Sequence, residues 1–139
     1  MGSLCEAYRE VTGFDEQGHR VNLLFDHETP DIKVESAYTH GALRITLKRP
    51  GSLSVRMPPW VDAEAMRVSG TSEEPRTANG YLVLSQPSVG RPVSLEYPMA
   101  EEEIVLKHDT RHIRTRLRGD EVVAMESFGT DLTYFDPID

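Results

Sequence analysis

The chain has 139 residues and a formal net charge of −8, from 23 acidic and 15 basic residues, and 38% of its residues are hydrophobic. This length provides a core without disulfides or metals, and the acidic balance argues against nucleic acid, whose binding needs a basic face. No apolar run approaches the roughly 18 residues that span a bilayer, and the first residues lack the pattern of a signal peptide. We therefore expect neither a nucleic-acid partner nor a membrane partner.

Short runs that alternate apolar and polar residues recur at intervals of about ten residues, separated by Gly, Pro, Asn and Asp clusters. In the first run, "HRVNLLFDHE", the alternation places Val21, Leu23 and Phe25 on one side. The later runs are "DIKVESAY", "ALRITLKR", "SLSVRM", "AMRVSG", "GYLVLS", "PVSLEYP", "EEIVLKHD", "HIRTRLRG", "EVVAMES" and "DLTYFD". This repetition predicts an all-β fold, an antiparallel β-sandwich of jelly-roll type. The predicted sandwich domain covers 19–139 and follows a weakly structured extension at 1–18.

Turns are predicted between these runs. Asn79-Gly80 is the strongest signal, because both residues tolerate the positive φ of a two-residue hairpin turn. The polar segment before it, "SGTSEEPRTA", is predicted to be a mobile surface loop. Asp109-Thr110 is predicted to form another turn. The tripeptide Arg118-Gly119-Asp120 lies between two strand-like runs and is better explained as a hairpin turn than as an adhesion motif.

Carboxylates are the first candidates for chemistry, because glycoside hydrolysis uses a pair of them about 5 to 10 Å apart. Asp26 and Glu28 would share one face of a strand. Any charged strand end that leads into a turn has this spacing, however, and that structural interpretation is favoured. The glutamates at 101–103 are predicted to be a solvated entry to a strand.

Histidine and cysteine do not predict a metal site. His108 and His112 have the i, i+4 spacing that binds metals on a helix, but the runs around them predict strands, and no third ligand is marked by spacing. Cys5 is the single cysteine and cannot form a paired-cysteine motif. The sequence also contains no nucleophile elbow and no phosphate-binding loop. We expect no catalytic residue, no metal and no cofactor.

Basic residues cluster in "IRTRLRG". On a strand, Arg114, Arg116 and Arg118 share one face. A solvated or salt-bridged strand face is favoured over an anion-binding site, because the chain as a whole is acidic.

The aromatic candidates begin with the only tryptophan, in "LSVRMPPWV". Two prolines cannot donate ladder hydrogen bonds, so they end the strand and place Trp60 at one end of the sandwich. Exposed Trp and Tyr rings serve as platforms for sugars. Packing is favoured over glycan stacking for Trp60, and we take Trp60, Tyr81 and Arg56 as candidates for a carbohydrate-binding or domain-interface role.

The stretches "GALRITLKRPGSLSVRMPPWVDAEAMRVSG" and "NGYLVLSQPSVGRPVSLEYPM" carry a family pattern. They resemble the non-catalytic β-sandwich that follows the catalytic barrel in beta-L-arabinofuranosidase-like glycoside hydrolases. The residues that match the pattern are Leu53, Arg56, Pro58, Pro59, Trp60, Gly70, Gly80, Tyr81, Leu82, Val93, Leu95 and Pro98. Ser69-Gly70 and Gly90-Arg91 depart from the usual Asn-Gly and Gly-Asp.

The resemblance implies an accessory module without turnover of its own, whose partner is the catalytic α/α-barrel domain of the parent protein or another subunit. The cysteine nucleophile, glutamate acid/base and zinc site of those enzymes have no counterpart in this sequence. Two alternatives remain open. The chain could be a carbohydrate-binding module for plant-type glycans, or a stand-alone jelly-roll enzyme that uses the His108/His112 region.

Overall fold

The computed structural model describes residues 2–126 and 138. Strands account for 46% of it and helices for 9%, which confirms the all-β prediction. The chain divides into two compact units, Met1–Tyr97 and Pro98–Asp139, where the sequence predicted one domain over 19–139. No helix in the described part is long and apolar enough to cross a membrane.

The first sheet of the larger unit contains five strands. They are β1 (Thr12–Asp15), β2 (Gly18–Val21), β6 (Leu53–Arg56), β8 (Arg76–Ala78) and β9 (Tyr81–Leu84), in the spatial order β1-β2-β6-β9-β8. All neighbours are antiparallel except β2 and β6, which run parallel. Alternation along the chain cannot reveal this parallel pairing, because period two is the same for both directions.

The second sheet of this unit also contains five strands. They are β3 (His27–Glu28), β4 (Ile32–Glu35), β5 (Leu43–Leu47), β7 (Arg67–Ser69) and β10 (Val93–Glu96), in the spatial order β3-β4-β5-β10-β7. Every pair in this sheet is antiparallel. The jelly-roll arrangement of the sandwich stays a prediction.

The core is formed by alternate residues of these strands, as the period of two requires. In β5, Leu43, Ile45 and Leu47 are at most 1% exposed, whereas Arg44 between them is exposed. The other strands bury Val21, Ile32, Val34, Leu53, Val55, Leu82, Leu84, Val93 and Leu95 in the same way. Each such side chain contributes about 1.5–3 kcal/mol on burial.

Two helices lie outside the sheets, α1 (Gly2–Arg9) and α2 (Ala37–His40). Helix α1 and strand β1 occupy the range predicted as a weakly structured extension, and β1 pairs with β2. Alternation did not reveal β1 because its four residues, Thr-Gly-Phe-Asp, carry only one large apolar side chain. Helix α2 begins at the N-cap Ser36, whose hydroxyl accepts from the Tyr38 N–H, and ends at Gly41 with φ 75°.

The prediction that Val21, Leu23 and Phe25 share a strand face is wrong. Strand β2 ends at Val21, and the next residues bend away while the N–H of Asn22 donates to the carbonyl of Val11 at 2.9 Å. Val21 is fully buried, whereas Phe25 is 57% exposed. Residues 63–65 form a turn just before strand β7.

The smaller unit is an antiparallel meander of β11 (Glu101–His108), β12 (Arg111–Arg118) and β13 (Glu121–Met125). Asp109-Thr110 and Gly119-Asp120 connect these strands, which confirms both predicted hairpin turns. The glutamates at 101–103 are exposed on the entry to β11, as predicted. The predicted run "DLTYFD" lies outside the described residues.

The Asn79-Gly80 prediction is confirmed. Ala78 is opposite Tyr81 in the β8–β9 pair, and Asn79 and Gly80 have φ values of 52° and 78°. The polar loop before this hairpin is tied down by Glu73, whose carboxylate accepts the N–H groups of Ser85, at 2.8 Å, and Gln86, at 3.0 Å. The backbone hydrogen bonds from Gln86 and Ser85 lower the pKa of Glu73.

We expect Glu73→Gln to destabilise the protein near neutral pH but not in acid. The lowered pKa means that the folded state favours the ionised form of Glu73. The stabilisation that this carboxylate provides is present above the pKa of the unfolded state, about 4.3. It is lost as the pH falls through the pKa of the folded state. Urea unfolding midpoints from about pH 7 to about pH 2 measure the difference. Glu74→Gln is the control, since Glu74 is an exposed neighbour. A difference for Glu73→Gln that is constant with pH would contradict this role.

Candidate functional site

Trp60 lies at the end of the first sheet and contacts the end of the second. It follows β6 in a turn in which the Val61 N–H donates to the Pro58 carbonyl at 3.1 Å. Its half-buried ring meets the ring of Tyr97, which follows β10, edge to face with centroids 5.9 Å apart. The aromatic pair therefore joins the segment that follows β6 in the first sheet to the segment that follows β10 in the second.

Arg56 and Tyr81 are brought together on the outer face of the first sheet. Arg56 on β6 is directly opposite Tyr81 on β9, and opposite residues of an antiparallel pair point to the same side. Their neighbours Val55 and Leu82 are buried, so Arg56 and Tyr81 point outward. Arg56 is exposed and Tyr81 is half-buried.

The Tyr81 ring lies along this outer face. Its hydroxyl donates to Oδ1 of Asn22 at 3.1 Å, and Nδ2 of Asn22 donates to the carbonyl of Glu10 at 2.9 Å. Asn22 directly follows β2, which lies on the far side of β6 from β9. The side chain of Tyr81 thus reaches across β6 toward the end of β2, and the hydrogen bond to Asn22 fixes its hydroxyl end.

Two further arginines, Arg20 and Arg76, lie on the same outer face. We call this surface the Tyr81 face, and it is formed by Arg20, Ser54, Arg56, Arg76, Tyr81 and Val83. The register places Arg20 beside Ser54, Ser54 beside Val83, and Val83 beside Arg76. The guanidinium of Arg20 pairs with Asp15 at 2.7 Å, and that of Arg76 donates to the Ser85 hydroxyl at 3.1 Å. Among residues 2–126 and 138, the guanidinium of Arg56 has no carboxylate within ion-pair distance.

The carboxylates considered for hydrolysis border a separate open cleft of about 480 Å³. Its lining residues are Tyr8, Asp26, His27, Glu28, Lys33, Val34, Glu35 and His40. Asp26 accepts the Ser36 N–H at 2.6 Å, and this bond lowers its pKa. A hydrogen bond and ion pair with Lys48 lower the pKa of Glu28. A glycosidase acid needs a raised pKa, which is opposite to the direction of the shift at both carboxylates.

The basic strand of the smaller unit is a salt-bridged face, as predicted. Arg114 donates through Nε and Nη2 to one oxygen of Glu126 at 3.0 and 2.9 Å, and Arg118 pairs with Glu121 at 3.0 Å. Arg116 is opposite Glu103. The hydrogen bonds that the backbone N–H and then the side chain of Arg114 donate to Glu126 lower the pKa of that carboxylate.

His108 and His112 lie on the two strands of the β11–β12 hairpin. His112 on β12 is exposed and opposite Lys107, and His108 is opposite Arg111. In the described part of the chain, no group of three or more His, Cys, Asp and Glu side chains could hold a metal ion. Cys5 is exposed on α1.

Comparison with known proteins identifies one informative neighbour. No protein-family model and no curated protein matches this sequence. The structure is similar to the crystal structure of a GH127 beta-L-arabinofuranosidase from Geobacillus stearothermophilus T6, with a TM-score of 0.57 and 20% sequence identity. The two share a fold. The match covers 82% of this chain and 21% of that enzyme, so this chain spans about a fifth of the enzyme's length.

Sequence reasoning found Arg56 and Tyr81 but missed Asn22, Arg20 and Arg76. Asn22 lies inside a run whose alternation predicts one continuous strand, and the two arginines lie in strands far apart in sequence. Only the pairing of β2 with β6 and of β8 with β9 brings them to one face. No local pattern in the sequence marks that pairing.

Proposed function

We propose that this chain is a non-catalytic β-sandwich module of a larger glycoside hydrolase related to the beta-L-arabinofuranosidases. The observation that carries this proposal is the unequal coverage of the structural match, 82% of this chain against 21% of the enzyme. A module accounts for a shared fold over one part of a much longer protein. The family pattern around Trp60 and Tyr81 supports the same assignment.

The chemistry of the described residues agrees with a module that lacks turnover. Asp26 and Glu28 are occupied by internal partners and have lowered pKa values. Neither can protonate a leaving group efficiently near neutral pH, because a general acid works best with a pKa near the operating pH.

A partner surface is the second part of the proposal. Leu4 and Tyr8 are four residues apart on α1 and therefore share one side of the helix. They are 75% and 65% exposed. We propose that this side of α1 and the Trp60 end of the larger unit pack against the catalytic barrel or a second subunit of the parent protein.

The reading frame around this segment provides the test. We expect adjacent coding sequence for a helical barrel of several hundred residues, and we expect the separately expressed barrel to bind this chain in sedimentation and pull-down experiments. Leu4→Glu/Tyr8→Glu should weaken that association, whereas Glu6→Lys on another side of α1 should not. A natural reading frame of only this length, with no associating hydrolase, would overturn the proposal.

Carbohydrate binding is a second candidate function, and the Tyr81 face favours it. A half-buried tyrosine ring whose hydroxyl end is fixed, bordered by hydrogen-bonding side chains, suits stacking on a sugar. Calorimetric titration with a panel of plant-type oligosaccharides tests it, and absence of binding across the panel would reject it.

A further inference from the structure

We propose that the Tyr81 face binds a saccharide chain that carries carboxylate groups, with Arg56 as the carboxylate-binding residue and Tyr81 as the stacking platform. This inference rests on the carbohydrate-binding candidate and adds the class of ligand. It does not depend on whether the chain belongs to a larger hydrolase.

The platform is preorganised. The hydrogen bond from Tyr81 to Asn22 fixes the hydroxyl end of the ring, and the bond from Asn22 to the Glu10 carbonyl fixes the amide. A ring that is already ordered loses little conformational freedom when a ligand stacks on it. The register between β6 and the strands on either side of it has no shift.

Charge selects the ligand class. The whole chain carries −8, yet the Tyr81 face contains Arg20, Arg56 and Arg76. Asp15 neutralises Arg20, and Glu73 acts on Arg76 at longer range. Arg56 remains without a carboxylate partner among the described residues. Its guanidinium can therefore take a ligand carboxylate through two parallel N–H···O bonds.

The geometry places this charge beside the platform. Arg56 and Tyr81 are cross-strand neighbours, and the backbones of adjacent strands lie about 4.8 Å apart. A sugar stacked on the ring therefore has its substituents within reach of the long Arg56 side chain. The Ser54 hydroxyl lies on the same face and can hydrogen-bond to a neighbouring sugar unit.

The open cleft beside α1 offers no competing site for such a ligand. Its carboxylates, Asp26, Glu28 and Glu35, outnumber its single lysine, Lys33. An anionic chain would be repelled there, whereas the Tyr81 face attracts it. Substitutions in this cleft should consequently leave the binding unchanged.

Calorimetry with an oligogalacturonate and with a neutral arabino-oligosaccharide of equal length tests the proposal. We expect the oligogalacturonate to bind more tightly than the neutral oligosaccharide. Its affinity should fall as added salt screens the charges. Arg56→Gln should weaken oligogalacturonate binding at least about tenfold, as the loss of a charge-assisted hydrogen bond predicts. Arg44→Gln is the matched control, because Arg44 is an exposed arginine on the outer face of the second sheet.

Variants of Tyr81 separate stacking from folding. Tyr81→Phe keeps the ring but loses the hydrogen bond to Asn22, so it should weaken binding only partly, whereas Tyr81→Ala should abolish binding at temperatures where its unfolding curve confirms a folded state. Equal affinity for the neutral oligosaccharide would overturn the charge assignment alone. If inorganic polyphosphate binds as tightly as the oligogalacturonate and Tyr81→Ala has no effect, the binding is non-specific electrostatic attraction and the proposal is overturned. No binding of either saccharide would overturn this inference and the carbohydrate-binding candidate, but not the accessory role.

Discussion

Gly70→Ala is expected to lower the free energy of unfolding by about 3 kcal/mol or more. Gly70 follows β7 with φ 84°, and a Cβ at this position would lie 2.0 Å from the carbonyl oxygen of Pro92. That oxygen belongs to the backbone just before β10. Because β10 is paired with β7, this backbone cannot move away from Gly70 without disturbing the pair. The added methyl therefore has to strain the backbone or break the edge of the second sheet.

Gly80→Ala is the matched control for this effect. Gly80 has a similar φ of 78°, but a Cβ there would meet no atom within 4 Å. Only the left-handed backbone conformation is then penalised, at about 1–2 kcal/mol. Urea unfolding of the two variants measures both costs. Equal destabilisation would show that the close approach to Pro92 has no energetic consequence.

Trp60→Ala is expected to lower the free energy of unfolding by about 2 kcal/mol, less than the cost at a fully buried site because the ring is half-buried. The loss follows from removing the edge-to-face contact with Tyr97, which connects the ends of β6 and β10. Chemical denaturation followed by far-UV circular dichroism measures it, since the variant lacks the only tryptophan.

Trp60→Phe separates the two interpretations of this residue. A smaller ring can keep part of the contact with Tyr97, so this variant should recover about half of the lost stability. A ligand platform predicts the opposite pattern, in which Trp60→Ala leaves the stability unchanged and abolishes glycan binding. That outcome would contradict the packing role.

The strands and turns of this protein were accessible from sequence because they depend on neighbouring residues. Alternation in "ALRITLKR" matches the buried and exposed positions of β5, and Asn79-Gly80 forms the predicted hairpin turn. Helix α2 escaped prediction because its four residues, Ala-Tyr-Thr-His, are too few to display a helical period. The mobile loop predicted before Asn79 is anchored by Glu73, through backbone N–H groups that lie after β9.

Only part of the candidate site could be predicted from the sequence. The motif around "LSVRMPPWV" drew attention to Trp60 and Arg56, and the family pattern added Tyr81. The structure separates these residues into two places, since Trp60 contacts Tyr97 at the sheet end while Arg56 and Tyr81 share the outer face. Asn22, which orients Tyr81, lies 59 positions away from it in the chain.

The amino-acid sequence by itself determined the fold class, the hairpin turns and the inward or outward direction of most strand residues, because these follow from period two and from local φ preferences. Only the tertiary structure decided which strands are neighbours. The parallel pairing of β2 with β6 joins segments more than thirty residues apart, and its free energy comes from the burial of both strands in one core rather than from either segment. That pairing creates the Tyr81 face.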